Sequence, residues 1–306
     1  MSAEPNLRLG IDWGGTKMEI IALEHGGSER FRKRVATPRG DYDGCIRAVA
    51  GLVAAAEEAT GARGTVGLGI PGSLSPATGL VKNANSTWMN GKPLDRDLEA
   101  ALCRPVRIQN DANCLAVSEA TDGAGAGATI VHAIIVGTGC GSGVAINGRA
   151  HRGANGIGGE WGNIPVPWMS AEEVPGPECW TGKRGTIDRL CSGTGFQWDH
   201  ARATGQSLTG PQIMARARAG ETEAVATFER YVSRLGRAMA MVANILDPDV
   251  FVLGGGMSNI DELYERLPDE MRKHVFSDQY DVPVRKAKHG DSSGVRGAAW
   301  LWNDAA

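Results

Sequence analysis

A glycine-rich turn between two apolar strands occurs twice in the chain. The first copy, residues 7–23, has the turn Trp13-Gly14-Gly15-Thr16-Lys17. The second, residues 129–146, has the turn Gly137-Thr138-Gly139-Cys140-Gly141-Ser142-Gly143. Each pattern predicts a β-hairpin whose turn exposes backbone N–H groups, and such groups suit a phosphate. The repeat favours a duplicated α/β fold that holds a phosphate between two hairpins. Two unrelated tight hairpins stay open as the alternative.

The first turn also excludes two common nucleotide-binding motifs. The Rossmann fingerprint and the P-loop both lead from a strand into a helix, whereas residues 18–23 read as a second strand. Lys17 is followed by Met18, where a P-loop needs serine or threonine. The sequence therefore predicts a phosphate site of another kind.

Alternating strand and helix patterns follow the first hairpin. The sequence predicts helices over residues 42–60, 94–102, 112–122, 221–245 and 294–302, and strands over 65–70, 105–108 and 249–253. One apolar face of the long helix, Tyr231, Leu235, Met239 and Val242, is predicted to be core.

An Asn-Asp pair lies where a predicted strand ends and a helix begins, in Gln109-Asn110-Asp111-Ala112-Asn113. Backbone N–H groups at a helix start favour an anionic aspartate, so Asp111 is well placed for chemistry. Taken alone, the pair is more typical of a helix cap and turn.

Composition limits the possible functions. With 306 residues the chain can form two domains, and a net charge of −3 without a dense basic run argues against nucleic-acid binding. No apolar stretch reaches the length of a membrane helix, and Met1-Ser2-Ala3-Glu4-Pro5 does not resemble a signal peptide. The 6 cysteines form no CxxC pair and are expected to be free thiols. We expect a cytoplasmic protein that binds neither nucleic acid nor a membrane.

The 43 glycines cluster in a few loops, where backbone can approach a ligand closely. Residues 151–163 are glycine-rich and contain a single acid, Glu160. Residues 82–91 form a polar, irregular segment that could be a plain surface loop or could face a carbohydrate.

Five spaced motifs resemble those of the ROK family of sugar kinases. They are Asp12-Trp13-Gly14-Gly15-Thr16-Lys17, Asn110-Asp111-Ala112-Asn113, Gly137-Thr138-Gly139-Cys140-Gly141, Gly158-Gly159-Glu160-Trp161-Gly162 and Leu253-Gly254-Gly255-Gly256. Two further stretches, Asn83-Ala84-Asn85-Ser86-Thr87-Trp88 and Lys286-Ala287-Lys288-His289-Gly290-Asp291, look closest to the bacterial fructokinase branch. The resemblance extends over nearly the whole chain.

The resemblance implies an actin-like, ribonuclease-H-like α/β fold with an ATP·Mg²⁺ site in a cleft between two domains. The expected smaller domain is residues 1–122 plus 294–306, and the larger is residues 123–293. The implied activity is an ATP-dependent hexose 6-phosphotransferase, with fructose as the expected substrate. The oligomeric state stays open, and a homodimer is only what relatives in the family suggest.

The resemblance also implies roles for individual residues. Asp111 would be the general base on the sugar hydroxyl, and Asn85, Asn110 and Glu160 would hold other hydroxyls. The remaining roles are phosphate contact by Gly14, Gly15, Thr16, Lys17, Thr138 and Gly139, adenosine contact by Gly254 and Gly255, and water-mediated Mg²⁺ binding by Asp12. These roles suit phosphoryl transfer, which depends on positioning, charge neutralisation and one acceptor for the hydroxyl proton.

The sequence departs from the family pattern at the zinc loop. Family members typically carry one histidine and three cysteines here, but this chain has Asn163, Cys179, Thr181 and Thr186 at those positions. A structural zinc normally needs four nitrogen or sulfur donors, so we expect none. Asp188 replaces a glutamate that binds sugar in the family, and Asn163 could still offer a hydrogen bond to a sugar hydroxyl.

Three alternative functions compete with a fructose kinase. A sugar-responsive repressor would need a DNA-binding domain ahead of the first hairpin, and only eleven residues precede Asp12. A weakly active sugar sensor is less consistent with the presence of Asp12, Lys17, Asp111 and Glu160. A kinase for mannose, glucose or an N-acetylated hexose stays open, because fructose rests on the resemblance alone.

Overall fold

The computed structural model describes residues 7–303, so the predicted absence of a signal peptide, which concerns Met1–Pro5, lies outside the described residues. The strands are β1 (Leu7–Trp13), β2 (Lys17–Glu24), β3 (Glu29–Ala36), β4 (Thr65–Ile70), β5 (Ser73–Leu74), β6 (Val81–Lys82), β7 (Val106–Asn110), β8 (Ile130–Val136), β9 (Cys140–Ile146), β10 (Arg149–Ala150), β11 (Val250–Gly254) and β12 (Val284–Lys286).

The α-helices are α1 (Tyr42–Thr60), α2 (Leu94–Leu102), α3 (Asp111–Thr121), α4 (Ile187–Cys191), α5 (Gly193–Thr204), α6 (Gly210–Arg218), α7 (Thr222–Leu246), α8 (Glu262–Arg272) and α9 (Ser293–Trp300). Short 3₁₀ turns cover Thr87–Met89, Gly256–Asn259 and Gly290–Ser292. In the part of the chain that the structure describes, no helix has the length and apolar character needed to span a membrane.

The chain divides into two compact units. The first unit contains Met1–Gly127, Gly143–Gly158 and Lys288–Ala306, and the second contains Ala128–Ser142 and Gly159–Ala287. The division differs from the expected domain boundaries, since residues 123–127, 143–158 and 288–293 lie in the first unit. At one of its crossings between the units the chain passes within strand β9. A boundary inside a strand lacks the composition of a linker, so the sequence does not reveal it.

The first unit is built on a five-stranded sheet in the order β3-β2-β1-β4-β7. Strands β1, β2 and β3 are antiparallel neighbours, whereas β4 and β7 run parallel to β1. Asp12 is in register with Gly69, which is in register with Gln109. Because parallel strands end at a shared edge of the sheet, Asp12 and the Asn110-Asp111 pair emerge at the same edge.

Helices cover both faces of this sheet. Buried side chains of α1 and α2 form one core with β1, β2, β4 and β7. On the other face, α3 and α9 pack against each other and α9 packs on β1 and β4. Backbone approaches closely there: a methyl group on Gly67 would lie 1.8 Å from the oxygen of Ala298, and one on Gly297 would lie 1.7 Å from the oxygen of Cys114. Glycine at these two positions is therefore a packing requirement.

The second five-stranded sheet has the order β10-β9-β8-β11-β12, with β11 parallel to both β8 and β12. Its chain order matches that of the first sheet, because in each a hairpin lies beside parallel strands. The predicted duplicated α/β fold is thus confirmed. The core of the second unit includes Tyr231, Leu235 and Met239 from α7, as predicted, while Val242 is half-buried at its margin.

Several element boundaries differ from the predicted ones by one to four residues. Strand β7 runs on to Asn110 and α3 begins at Asp111, one residue earlier than expected. Strand β9 begins at Cys140, so the second glycine turn is shorter than the predicted turn over residues 137–143. The ladder of hydrogen bonds in a sheet extends strands into glycine-rich sequence, whose local composition favours turns.

Candidate active site

The first glycine hairpin is a tight turn between β1 and β2. The N–H of Gly14 donates to the oxygen of Lys17 at 3.0 Å, and the side chains of Thr16 and Lys17 are exposed. Thr37 braces the turn from outside, because its hydroxyl donates to the oxygen of Gly14 at 2.8 Å and its N–H donates to the oxygen of Thr16 at 3.0 Å. The sequence patterns did not reveal Thr37, since it lies after β3 and shares no motif with the turn.

Asp12 is a half-buried carboxyl group next to this hairpin. Burial, together with the negative charges of Asp111 and Glu19, raises the pKa of Asp12 to about 7 against the opposing charges of Lys17 and Arg34. The surroundings of Asp12 therefore favour the binding of a proton or a cation. Mg²⁺ is usually held by one or two carboxylates together with substrate phosphates, so the residues present fit the water-mediated Mg²⁺ contact expected of Asp12.

We expect Asp12→Asn to stabilise the metal-free protein at alkaline pH. The pKa of the folded acid, about 7, exceeds its ordinary value of 3.8. The contribution of the protonated acid is thus complete below pH 3.8 and is lost as the pH rises through 7. At pH 8 the asparagine variant should be more stable by up to about 4 kcal/mol. Urea unfolding without divalent cations at pH 4 and pH 8 measures this difference, and an equal difference at both pH values would contradict it.

Asn110 and Asp111 divide the two predicted roles between them. Asn110 is the N-cap of α3, because its Oδ1 accepts from the N–H of Ala112 at 2.9 Å, and its Nδ2 donates to the oxygen of Gly72 at 3.1 Å. Asp111 is the first helical residue, half-buried, and its Oδ1 accepts from the same N–H at 2.8 Å. The cap interpretation therefore holds for Asn110, while Asp111 has its carboxylate at the positive end of the helix.

The predicted sugar-binding residue Asn85 is exposed in the loop that precedes the 3₁₀ turn Thr87–Met89. Asn90 braces this loop: its Oδ1 accepts from the N–H of Ala84 at 2.9 Å and its Nδ2 donates to the oxygen of Ala84 at 3.0 Å. Sequence reasoning missed Asn90, although it lies in the segment considered for carbohydrate binding. Within the first unit, then, the structure places Asp12, Asn110 and Asp111 at one sheet edge.

The second glycine hairpin lies in the second unit and exposes Thr138 and Gly139. The oxygen of Thr138 accepts from the hydroxyl of Thr194 at 2.7 Å, and the N–H of Cys140 donates to Oδ1 of Asp188 at 2.8 Å. Asp188, predicted as a sugar ligand, therefore also braces the predicted phosphate hairpin. No sequence signal links these residues, because they are far apart along the chain.

The glycines predicted to border adenosine end a neighbouring strand of the same sheet. Gly254 is the last residue of β11 and is in register with Ile135 of β8. Gly255 has a φ of 82°, and a methyl group there would lie 2.6 Å from the oxygen of Val136. The structure thus brings Gly254 and Gly255 to the same edge as the second hairpin.

Residues at the zinc positions of the family lie together but do not form a zinc site. Thr181 donates its hydroxyl hydrogen to Oδ1 of Asn163 at 2.9 Å, and Sγ of Cys179 lies 2.9 Å from the same hydroxyl oxygen. Thr186 is buried. One sulfur with amide and hydroxyl oxygens does not meet the ligand requirement of a structural zinc ion.

Among residues 7–303, no group of three or more His, Cys, Asp or Glu side chains is arranged to hold a metal ion. A cavity of about 530 Å³ in the first unit is lined by polar residues, including Asp95, Arg107 and Arg152, and by apolar ones, including Val106, Ile108 and Trp300. None of the predicted site residues lines this cavity. This cavity is therefore not part of the predicted site, which consists of glycine hairpins and carboxylate side chains.

Comparison with known proteins agrees with the fold. The model of the ROK family matches residues 8–305. N-acetyl-D-glucosamine kinase of Pasteurella multocida (strain Pm70) is 38% identical over 301 residues, which cover 97% of this chain and 99% of that protein. The N-acetyl-D-glucosamine kinase of Shigella boydii serotype 4 (strain Sb227) is 39% identical over 296 residues, covering 95% and 98%.

Two solved structures are similar over nearly their whole length. The ROK hexokinase from Thermus thermophilus has a TM-score of 0.85 and 31% identity, covering 96% of this chain and 97% of that one. A ROK family glucokinase from Streptomyces griseus, in complex with glucose and AMPPNP, has a TM-score of 0.73 and 29% identity, covering 96% and 98%. With the family model matching almost every residue, the chain belongs to the ROK family.

Proposed function

We propose that this protein is an ATP-dependent sugar kinase that phosphorylates the 6-hydroxyl of N-acetyl-D-glucosamine. The observation that carries the proposal is the identity of 38–39% over at least 95% of the chain to proteins named N-acetyl-D-glucosamine kinases. These relatives support the N-acetylated hexose, weighed above as an alternative, better than fructose. The relatives reported above are not named for fructose, the substrate expected from the motif resemblance.

Asp111 is proposed as the general base. A neutral sugar hydroxyl is a poor nucleophile near pH 7, and a carboxylate within hydrogen-bond reach accepts its proton during transfer. The N-terminal position of Asp111 on α3 supports this role, since the positive end of a helix stabilises a nearby negative charge. The cap made by Asn110 fixes the start of that helix.

We propose that the two hairpins stabilise the negative charge of the ATP phosphates. In the first unit the backbone of Gly14 and Gly15 and the side chains of Thr16 and Lys17 would contact phosphate, and Thr138 and Gly139 would do so from the second. Mg²⁺, when bound with ATP, would neutralise phosphate charge, and Asp12 would hold it through water. Gly254 and Gly255 would contact adenosine.

Sugar recognition is proposed for Asn85, Asn110, Glu160, Asn163 and Asp188. Carboxylate and amide oxygens accept hydrogen bonds from sugar hydroxyls, which suits a polar, neutral substrate. Asn163 and Asp188 differ from the family pattern, so they are the residues most able to alter the preferred sugar. The cytoplasmic location expected from the sequence stays a prediction, and so does the homodimer that family relatives suggest.

A substrate panel tests the proposal. ADP release is measured with N-acetyl-D-glucosamine, N-acetyl-D-mannosamine, glucose, mannose and fructose at fixed ATP·Mg²⁺. We expect kcat/KM for N-acetyl-D-glucosamine to exceed that for fructose by at least about 10-fold, because a site that binds the acetamido group leaves its polar atoms unpaired with other sugars. A preference for fructose would contradict the substrate. Sugar binding without ADP release would instead support the sugar sensor.

A further inference from the structure

A buried histidine lies beneath the loop that carries Glu160 in the second unit. His132 is on β8 and is 1% exposed, and its Nε2 lies 3.0 Å from Oγ of Ser142. The Ser142 hydroxyl in turn donates to the carbonyl oxygen of Gly159 at 2.7 Å. The chain His132–Ser142–Gly159 therefore ends at the peptide group that precedes Glu160.

The hydrogen bonds that join His132, Ser142 and Gly159 determine the tautomer of the histidine. The carbonyl oxygen of Gly159 can only accept, so the single hydroxyl hydrogen of Ser142 is used there. Nε2 of His132 must then donate to Ser142, and Nδ1 carries no hydrogen. Nδ1 is buried without a hydrogen-bond partner among the described residues, and burial lowers the pKa of His132 to about 3. The imidazole is therefore neutral and its Nε2–H is fixed.

The same histidine supports the other side of Glu160. The N–H of Trp161 donates to the oxygen of Gly159 at 2.8 Å, and this i→i+2 hydrogen bond forms a three-residue turn with Glu160 at its centre. The Trp161 ring is 3% exposed and meets the His132 ring edge to face, with centroids 5.2 Å apart. Phe251 of β11 contacts His132 in the same geometry at 5.4 Å. Both neighbours of Glu160 are thus connected to His132, Gly159 through the hydroxyl of Ser142 and Trp161 through a direct ring contact.

We propose that His132 is a positioning residue that, through Ser142 and Gly159, sets the direction in which Glu160 presents its carboxylate to the sugar. The inference rests on the proposed function, in which Glu160 binds sugar hydroxyls. Glu160 itself is exposed at the surface of the turn, and its backbone is joined on either side to the two peptide groups that these contacts hold. A misplacement of about 1 Å in a substrate-positioning group can cost 10²-fold in rate, which makes such a support measurable.

The test compares two buried histidines that each pair with a hydroxyl in the same unit. His132→Phe keeps a ring in the core but removes the Nε2–H donor, and Ser142→Ala removes the middle of the chain. His200→Phe is the matched control, because His200 is also fully buried and its Nδ1 lies 3.1 Å from Oγ1 of Thr227. Steady-state kinetics are measured with N-acetyl-D-glucosamine and ATP varied separately, together with the thermal midpoint of each variant.

We expect His132→Phe and Ser142→Ala each to raise the sugar KM by about 10-fold or more, while the ATP KM changes by less than about 2-fold. The double variant should be no worse than either single variant, because both changes break one chain of contacts. His200→Phe should leave the sugar KM unchanged whatever it does to stability. Equal effects of His132→Phe and His200→Phe on the sugar KM, or parallel changes in both substrates' KM, would overturn the inference.

A second measurement needs no catalysis. In the ¹⁵N spectrum of the wild-type protein, Nε2 of His132 should stay protonated and Nδ1 unprotonated from pH 5 to 9. A protonated Nδ1 would contradict the hydrogen bond that Nε2 is proposed to donate to Ser142. Calorimetric titration of sugar without ATP should show weaker binding for Ser142→Ala than for wild type. If wild type binds and phosphorylates no sugar in the panel, the proposed function and this inference both fail. If wild type is active and Ser142→Ala binds sugar normally, the inference alone fails.

Discussion

Asp111→Asn is expected to lower the rate of sugar phosphorylation by about 10²–10⁴-fold while ATP binding is retained. Asparagine has the same shape and keeps an oxygen that can accept from the N–H of Ala112, so the start of α3 should be preserved. It cannot take up the hydroxyl proton. ADP release measures the rate, and calorimetric titration with a non-hydrolysable ATP analogue measures nucleotide binding.

Asp43→Asn is the matched control for this experiment. Asp43 is an exposed aspartate in the first turn of α1, in the same unit, and no site role is proposed for it. Its neutralisation should leave turnover within about 2-fold of wild type, since a surface charge in a first turn contributes only to local helix stability. Near-wild-type turnover in Asp111→Asn would refute the assignment of the general base.

Arg234→Met is expected to destabilise the second unit by about 3–5 kcal/mol. The Arg234 guanidinium lies 2.8 Å from Glu173 and 3.1 Å from Asp199, and the three side chains are 2%, 9% and 1% exposed. Methionine would leave two carboxylates buried with less compensation. Urea unfolding at pH 7 followed by intrinsic fluorescence measures the loss of free energy of unfolding.

Arg266→Met provides the comparison, because Arg266 pairs with Glu229 on the surface of the same unit. Exposed pairs contribute about 0–1 kcal/mol, so this variant should unfold almost as wild type does. Similar losses for the two variants would show that burial of the Arg234 network is not what stabilises the unit. The network also involves Arg237, which donates to the oxygen of Trp168 at 2.6 Å.

The ion-pair network of Arg234 also holds the segment near Asn163. Burial opposes ionisation of Glu173, yet hydrogen bonds from Arg237 and Arg234 hold the pKa of Glu173 below its ordinary range. The stabilisation is therefore complete at neutral pH and is lost as the pH falls through the lowered pKa. Glu173 and Trp168 belong to the long connection that also carries Asn163, so the network anchors the backbone near a proposed sugar-binding residue.

Much of the fold was predictable because its elements have strong local signals. Helix α1 was predicted from residue 42 to 60 and begins and ends there, with Asp41 as its N-cap and Gly61 in the left-handed conformation after it. The core face of α7 follows from its 3.6-residue spacing. Amphipathic periodicity and capping act over a few residues, so a sequence window contains them.

The candidate site was only partly predictable. Motif resemblance named Asp12, Asp111 and Glu160, each within a short conspicuous stretch. The residues that brace the site segments have no signal of their own: Thr37 at the first hairpin, Asn90 at the loop of Asn85 and Ser142 at the turn of Glu160. They act through hydrogen bonds to backbone groups, and the choice of those partners depends on the fold.

The family, the main strands and helices and the residue types of the predicted site follow from the amino-acid sequence, because these depend on local periodicity and on motifs read residue by residue. The folded structure was needed to show that Asn110 is the cap while Asp111 begins the helix, that burial raises the pKa of Asp12, and that His132 contacts the turn at Glu160 through Ser142 and Trp161. Those properties arise from desolvation and from hydrogen bonds between distant segments, and neither exists until the chain has folded.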